Sequence, residues 1–157
     1  MGIEQAIQQP KFTSEYHKLA VNIIYTSSWL SLTHQHVLKP YNLTIQQFNI
    51  LRILRGQKGQ PLSVNCLIER MVDRSSNASR IVDKLQEKQL VERSVCPNDR
   101  RQVEVRITNN GLKLLSEVDE PMKNAAKALE GLSIKEAELI NTLLDKMRES
   151  QGESSKL

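Results

Sequence analysis

Two neighbouring segments carry side chains whose types and spacing suit contact with duplex DNA. The first is a run of short hydrogen-bonding residues followed by an arginine: Ser75, Ser76, Asn77, Ser79 and Arg80. Short side chains let a helix enter the major groove, where asparagine can pair with adenine and arginine with guanine or a phosphate. The second is the turn at residues 97–101, which ends in Arg100 and Arg101. Arginines at such a tip can follow the DNA backbone or enter a narrow minor groove.

The first segment opens the second helix of a predicted helix-turn-helix. Apolar residues at intervals of three and four predict a helix over residues 75–88. A break at residues 72–74 separates it from a shorter helix that Ser63 can cap. We expect Ser63 and Asn65, at the start of that shorter helix, to contact the DNA backbone. A helix start rich in serine and asparagine is also typical of an ordinary cap with a solvated first turn, so the interpretation depends on the segment C-terminal to this helix.

The second segment is the tip of a predicted hairpin directly after the helix-turn-helix. Residues 90–96 and 102–108 flank the turn, and the second run alternates apolar with polar side chains. Residues 1–106 hold 15 Lys and Arg against 9 Asp and Glu, whereas residues 107–157 hold 7 against 9. The helix-turn-helix, the arginine-tipped hairpin and the positive balance on the same side of the chain together favour contact with a polyanion.

A long helix precedes the helix-turn-helix. The pattern predicts it over residues 12–40, with Pro40 as its stop. Its apolar stripe is broad, which predicts burial on more than one side. Thr44 and Gln47 are spaced as a capping box for the next helix.

Two helices come after the hairpin. Thr108 can cap the first, and Pro121 is expected to kink or interrupt it. Ser133 and Glu136 form a second capping box that opens the last helix. The tail at residues 151–157 is polar, and we expect it to be disordered.

The composition indicates a folded chain. It has 157 residues, 39% of them hydrophobic and 25% charged, with a net charge of +4. No apolar run is long enough to span a membrane, and residues 1–11 lack the apolar core of a signal peptide, so we expect a cytoplasmic protein with no membrane partner. The 2 cysteines have no CxxC spacing and predict neither a disulfide framework nor a zinc site.

Residues 79–93 and 97–108 together resemble the signature of the MarR family of winged helix-turn-helix regulators. The family pattern has an Asp-x-Arg wing, alternating strand residues and a threonine that opens the next helix. Those positions are Asp99, Arg101 and Thr108 here. The resemblance covers nearly the entire chain.

The resemblance implies roles for the wing and for the helix that reads DNA. Arg101 would enter the minor groove, and Asp99 would orient it through a charge-assisted hydrogen bond. Asn98 and Arg100 complete the DNA-binding wing. Arg74 would open the recognition helix, directly ahead of the run of serines.

The fold implied is mainly α, a winged helix-turn-helix in the order α-α-α-α-β-β-α-α whose terminal helices form a dimerisation region. A single domain at residues 12–150 would comprise a DNA-binding lobe at 44–108 and dimerisation helices at 12–40 and 109–150. A two-fold dimer predicts a pseudo-palindromic operator with half-sites about one helical turn apart. One departure is Gln89, where the family often has glycine and where glutamine would tighten the turn.

The resemblance also implies a trigger. Family members often bind small aromatic or phenolic acids between the dimer helices and the DNA-binding lobe, which relieves repression when the ligand favours one spacing of the recognition helices. Four residues combine aromatic surface with a cation and could line such a pocket, although ordinary core and lobe packing explains them better: Tyr25, Trp29, Phe48 and Arg52. Redox control is the competing trigger, through Cys96 beside the wing or through Cys66, which is otherwise a small core residue.

Other classes of function find less support. His34 and His36 lie two residues apart on a helix and diverge, so the sequence predicts no metal site and no cofactor. It contains no nucleophile–base arrangement and no phosphate-binding glycine loop, so we expect no catalysis. A winged-helix protein-interaction module without its own operator is the remaining alternative, and such a module needs no basic wing.

Overall fold

The computed structural model describes residues 1–96 and 102–149. Its elements are α1 (Ile3–Ala6), α2 (Glu15–Leu38), α3 (Ile45–Gly56), β1 (Leu62–Ser63), α4 (Val64–Arg70), α5 (Ala78–Glu87), β2 (Val91–Val95), β3 (Val103–Ile107), α6 (Asn109–Ala126) and α7 (Ile134–Glu149). The predicted fold class is confirmed, and α1 and β1 are additional elements. The hairpin tip at residues 97–101 and the tail at 151–157, which we expected to be disordered, lie outside the described residues.

Four predicted helix starts are confirmed by their caps. The Thr44 hydroxyl accepts a hydrogen bond from the Gln47 N–H at 3.1 Å, and the Gln47 side chain accepts one from the Thr44 N–H at 3.2 Å. Ser63 and Thr108 cap α4 and α6 through their hydroxyls. Ser133 pairs with the glutamate three residues later at the start of α7. Each cap satisfies a backbone N–H that the first helical turn leaves unpaired.

Two prolines have different consequences. Pro40 lies in a short 3-10 turn, Lys39–Tyr41, directly after α2, so the long helix ends where it was predicted to end. Pro121 lies inside α6, which runs unbroken past it, so the predicted interruption is wrong. A proline removes one intrahelical hydrogen bond, and α6 persists because Leu115 and Val118 anchor it in the core.

The sheet has three strands in the order β1-β3-β2, all antiparallel. β2 and β3 form the predicted hairpin, in which Arg93 lies opposite Val105. β1 pairs with the other edge of β3, where Leu62 lies opposite Val105. With 2 residues, β1 is too short to show the alternation that reveals a strand in a sequence.

One hydrophobic core joins α3, α4, α5, the sheet and the first half of α6, and α2 contributes only Leu38. Its largest fully buried side chains are Leu38, Ile50, Leu51, Leu54, Leu67, Val82, Leu85, Val105, Leu115 and Val118. We call the part of the chain from α3 to β3 the lobe.

The long helices α2 and α7 leave much of their apolar surface exposed. In α2, Tyr16 is 85% exposed, Ile24 69% and Leu32 52%. Burial of α2 on more than one side is therefore wrong for the single chain. α7 has no buried residue, and within the described residues it makes no extended packing contact with another element. None of the described helices has both the length and the apolar character needed to cross a membrane.

Candidate DNA interface

Helix α5 has one face in the core and one face outside. Ala78, Val82 and Leu85 are buried, whereas Ser79 and Arg80 are exposed. The spacing of three and four residues places the buried side chains in one row, which fixes the rotation of the helix. The lobe therefore presents the predicted recognition residues outward from a rigid support.

The helix begins at Ala78, three residues later than predicted. The Asp73 carboxylate accepts hydrogen bonds from the Ser75 hydroxyl at 2.6 Å, the Ser76 hydroxyl at 2.7 Å and the Ser75 N–H at 3.1 Å. A short side chain that accepts a hydrogen bond from the backbone N–H two residues later stabilises a turn in place of the helix. The same bonds, those of the two hydroxyls first, hold the pKa of Asp73 below its ordinary value. Arg74, Ser75 and Ser76 therefore lie in the turn before α5.

Asn77 is the N-cap of α5 rather than a residue of its first turn. Its side-chain oxygen accepts a hydrogen bond from the Arg80 N–H at 3.0 Å. An asparagine that pairs with adenine uses both its oxygen and its amide nitrogen, and here the oxygen is already engaged. The Arg80 guanidinium forms no ion pair with the described acidic residues, which leaves it available to a base or a phosphate.

Helix α4, helix α5 and the base of the hairpin border a common cleft of about 220 Å³. Ser63 and Asn65 line it at the start of α4, Ser79 in α5, and Gln102 at the start of the returning strand. Asn65 is exposed, whereas the Ser63 hydroxyl accepts from a backbone N–H at 3.2 Å. The structure therefore brings the predicted residues of α4 and α5 together beside the base of the hairpin, although they lie apart in the sequence.

An ion pair that the sequence did not predict ties the hairpin to α5. Arg93 in β2 donates to the Asp83 carboxylate in α5. Arg106 lies opposite Glu92 and therefore on the other face of the sheet, because successive strand residues alternate. Arg93 thus positions α5, and Arg106 faces away from it. An acidic residue and a basic one ten positions apart give no sequence signal until the fold is known.

The turn before α5 is also anchored to α3. The Asn49 side-chain oxygen accepts a hydrogen bond from the Val72 N–H at 3.2 Å. Sequence analysis missed both Asn49 and Asp73. For Asp73 a signal existed, because an acidic residue two positions before a serine is typical of a turn closed by its own side chain.

The predicted wing contacts lie outside the described residues: Asn98, Asp99, Arg100 and Arg101. The strands that carry them are described up to their last residues. The Cys96 N–H donates to the Gln102 carbonyl at 2.9 Å, so the hairpin ladder continues to the residues that flank the tip.

Gln89 ends α5 with a left-handed backbone, at φ 58°. The left-handed region costs a side-chain-bearing residue roughly 1–2 kcal/mol, which explains why glycine suits this position. Two hydrogen bonds hold the turn: the Leu90 N–H donates to the Leu85 carbonyl at 3.0 Å, and the Thr108 hydroxyl donates to the Gln89 carbonyl at 2.8 Å. Gln89 therefore departs from the family pattern in residue type while keeping the conformation that glycine would adopt.

The four residues considered for a ligand pocket fall into two environments. Phe48 is 6% exposed, and the Arg52 guanidinium carbon lies 5.8 Å from the centre of its ring. Tyr25 and Trp29 are 46% and 42% exposed on α2. Phe48 is therefore a core residue, as the packing interpretation predicted, and the two α2 aromatics remain on the surface of the single chain.

Both cysteines are free and half-buried. Cys66 lies beside the buried Leu67 in α4 but outside the core, so its interpretation as a core residue is wrong. Cys96 lies at the end of β2, next to the hairpin tip.

Residues 43–103 match the family model of the MarR family. A MarR transcription factor from Planctomyces limnophilus is 26% identical, with a TM-score of 0.67 over 88% of this chain and 98% of that one. A cysteine-to-serine mutant of MarR from E. coli, complexed with operator DNA, is 24% identical, with a TM-score of 0.77 over 87% and 98%. BpsR from Bordetella bronchiseptica, whose DNA binding is regulated by 6-hydroxynicotinic acid, is 24% identical, with a TM-score of 0.73 over 84% and 99%.

Proposed function

The chain carries a MarR-family domain at residues 43–103, and from this premise we propose that it acts as a homodimeric transcription repressor on double-stranded DNA. The observation that carries the proposal is the orientation of α5, with its row of buried residues in the core and Arg80 exposed. As a DNA reader in a bacterial cell, the protein would work in the cytoplasm on a pseudo-palindromic operator.

The dimensions of α5 suit the major groove. A helix with its side chains is about 10–12 Å across, and the groove is about 12 Å wide. Arg80 and Lys84 are exposed and lie one turn apart on the same face. Arg80, nearer the helix start, is placed to reach a base edge, while Lys84 would lie against a phosphate. The MarR structure with operator DNA supports this placement by similarity of fold.

The wing would act beside α5. We assign Arg101 to the adjacent minor groove and Arg100 to the backbone, with Asp99 orienting Arg101 and Asn98 completing the tip. The support from the structure is indirect: β2 is tied to α5 through the Arg93–Asp83 ion pair. The ion pair thereby joins the described base of the hairpin to the recognition helix.

The terminal helices would form the dimer interface. Their exposed apolar residues lie at helical spacing on α2 and on α7: Tyr25, Trp29 and Leu32, and Leu139, Ile140, Leu143 and Met147. Contiguous apolar surface of this kind marks an interaction site. We therefore divide the domain at residues 12–150 into the lobe at 44–108 and dimerisation helices at 12–40 and 109–150.

A small aromatic ligand would release the DNA. The DNA binding of BpsR is regulated by 6-hydroxynicotinic acid, which supports a compound of this class for the present chain. Tyr25 and Trp29 are exposed aromatic groups on α2, and Arg52 is an exposed cation on α3. A ligand that contacts both helices can shift the spacing of the recognition helices only if it binds one spacing more tightly.

The test is binding of the purified protein to duplexes from a random-sequence selection, measured across a salt series. We expect selective binding that weakens as salt rises, because phosphate contacts release counterions. Arg80→Ala should weaken binding by roughly 5- to 150-fold, about 1–3 kcal/mol for a lost base contact, and Arg101→Ala should weaken it further. Arg148→Ala on α7, which removes a cation outside the lobe, should leave affinity unchanged. Equal binding to selected and scrambled duplexes, indifferent to Arg80 and Arg101, would contradict the proposal.

A further inference from the structure

The junction between α2, α3 and the end of α5 contains an unusual polar contact. Gln47 is the buried polar side chain of the described core, at 6% exposure. Its side-chain oxygen accepts from the Thr44 N–H and also from the Lys88 ammonium, at 3.2 and 3.1 Å. The same ammonium donates to the Asn42 carbonyl. One lysine therefore contacts two separate segments of the chain.

The two acceptors belong to the connection between α2 and α3, whose backbone conformation is also held by local turns and caps. Asn42 follows the 3-10 turn after α2 and has a left-handed backbone, at φ 52°. Gln47 belongs to the capping box that fixes the first turn of α3. Lys88 directly follows the last residue of α5. The contact therefore joins the end of the recognition helix to the point where the long helix α2 turns into the lobe.

We propose that Lys88 is a positioning residue, which holds the end of α5 against the α2–α3 connection and so sets the angle of the recognition helix relative to α2. This inference rests on the proposed function for its effect on DNA, but the contact itself belongs to the protein alone. In a dimer built on α2, the angle of α5 relative to α2 fixes the separation of the two recognition helices. Lys88 thus determines the half-site spacing without contacting DNA.

The environment of Lys88 agrees with this role. Its side chain is half-buried, and burial, followed by repulsion from Lys84, lowers the pKa of Lys88 below its ordinary value. A lysine that served only as a phosphate contact would point into solvent, as Lys84 does with 54% of its side chain exposed. The ammonium of Lys88 is instead engaged with a carbonyl and an amide oxygen of the protein.

Lys88→Met is a suitable variant because it keeps a long apolar stem and removes the ammonium. The Gln47 oxygen keeps its bond from the Thr44 N–H, so the capping box stays satisfied and the fold should persist. Lys88→Arg retains a cation with several hydrogen-bond donors. It is the conservative variant, and it keeps the proposal testable if Lys88→Met fails to fold. Lys84→Met, one turn earlier on α5, is the matched control for the loss of an exposed charge.

The first measurement is hydrogen exchange of the DNA-free protein. We expect Lys88→Met to accelerate exchange of amides at both residues 42–48 and residues 85–90 by about tenfold or more, with little change in Lys88→Arg and none in Lys84→Met. Acceleration confined to residues 85–90, or acceleration of neither segment, would overturn the proposal. Because no DNA is present, this result is independent of the proposed function.

The second measurement is affinity for selected operators whose half-site spacing is changed by one base pair in either direction. Lys88→Met should flatten or shift the spacing preference of the wild type, while the salt dependence stays the same. Lys84→Met should keep the preference and reduce the salt slope by about one. An unchanged spacing preference in a folded Lys88→Met, or a salt slope reduced as in Lys84→Met, would overturn the role assigned to Lys88. If the wild-type protein shows no selective binding, the proposed function is contradicted. The exchange measurement would then test by itself whether Lys88 holds the end of α5 against the α2–α3 connection.

Discussion

The lobe from α3 to β3 and the terminal helices α2 and α7 differ in how much of their apolar surface is buried. In the lobe, Ile50, Leu51 and Leu85 have no exposed surface. In α7, Leu139 and Leu143 are 58% and 54% exposed, although their spacing marks one apolar face just as clearly. The same sequence pattern therefore has two outcomes among the described residues, a closed core in the lobe and an open apolar face on α7.

The largest expected effect concerns the lobe core. Leu51→Ala should lower the free energy of unfolding by about 2–5 kcal/mol, because it leaves a cavity among fully buried neighbours. Val72→Ala, in the same lobe but at a position 91% exposed, should stay within about 0.5 kcal/mol of the wild type. Denaturant unfolding measures both. Similar costs for the two variants would contradict the closed core that sets the lobe apart from the terminal helices.

The next effect concerns α7. Ile140→Glu places a charge on the apolar face, where Ile140 is 43% exposed in the single chain. If that face is covered in a dimer, the buried charge should weaken dimerisation by about a hundredfold or more, which is about 2.8 kcal/mol. Sedimentation velocity should then show a monomer with an intact helical spectrum.

A charge added to the polar side of the same helix provides the control for Ile140→Glu. Asn141→Glu adds the same single charge at an exposed position on the opposite side of α7, outside the apolar row, and it should sediment like the wild type. A dimer that persists in Ile140→Glu would place the interface elsewhere.

A smaller effect is expected where α6 meets the lobe. A methyl group at Gly111 would meet the Leu90 carbonyl oxygen and lie 2.7 Å from Ile107 Cγ1. Gly111→Ala should therefore destabilise the protein by about 1–3 kcal/mol. Gly56 at the end of α3 has open space around it, and Gly56→Ala should stabilise by up to about 1 kcal/mol. Thermal melting should show a lower melting temperature than the wild type for Gly111→Ala and a higher one for Gly56→Ala.

The smallest effect concerns the turn before α5. Hydrogen bonds from Ser75 and Ser76 hold the pKa of Asp73 below its ordinary value. The ionised carboxylate therefore stabilises the turn at pH above the unfolded pKa, near 3.9, and this contribution is lost as pH falls through the folded pKa. Amide resonances of the turn should shift at a pH below 3.9, and Asp73→Asn should remove that titration. A midpoint above 3.9 would contradict the assignment.

Much of the fold could be predicted because its signals are local. The capping residues Thr44, Ser63 and Thr108 open helices where the sequence placed them, since a cap and its acceptor lie within three residues. The start of α5 was misplaced because Asp73 competes for the backbone N–H groups of the following serines.

The candidate interface was harder to predict because its supports join distant residues. The pairs Arg93–Asp83 and Lys88–Gln47 connect separate elements, and no spacing rule relates such residues. Burial of α2 was predicted from its apolar stripe, but much of that stripe is exposed in the single chain. An apolar stripe indicates a face suited to packing, and the pattern does not identify the surface against which the face would pack.

In the proposed dimer, the open faces of α2 and α7 pair two chains so that two copies of α5 contact one duplex. The most direct test is the mass of the protein–operator complex by sedimentation equilibrium at a salt concentration where binding is selective. We expect one duplex with two chains of 17.9 kDa each, and loss of the complex in Ile140→Glu. A selective complex that contains a single chain, or one that Ile140→Glu forms as tightly as the wild type, would contradict the account.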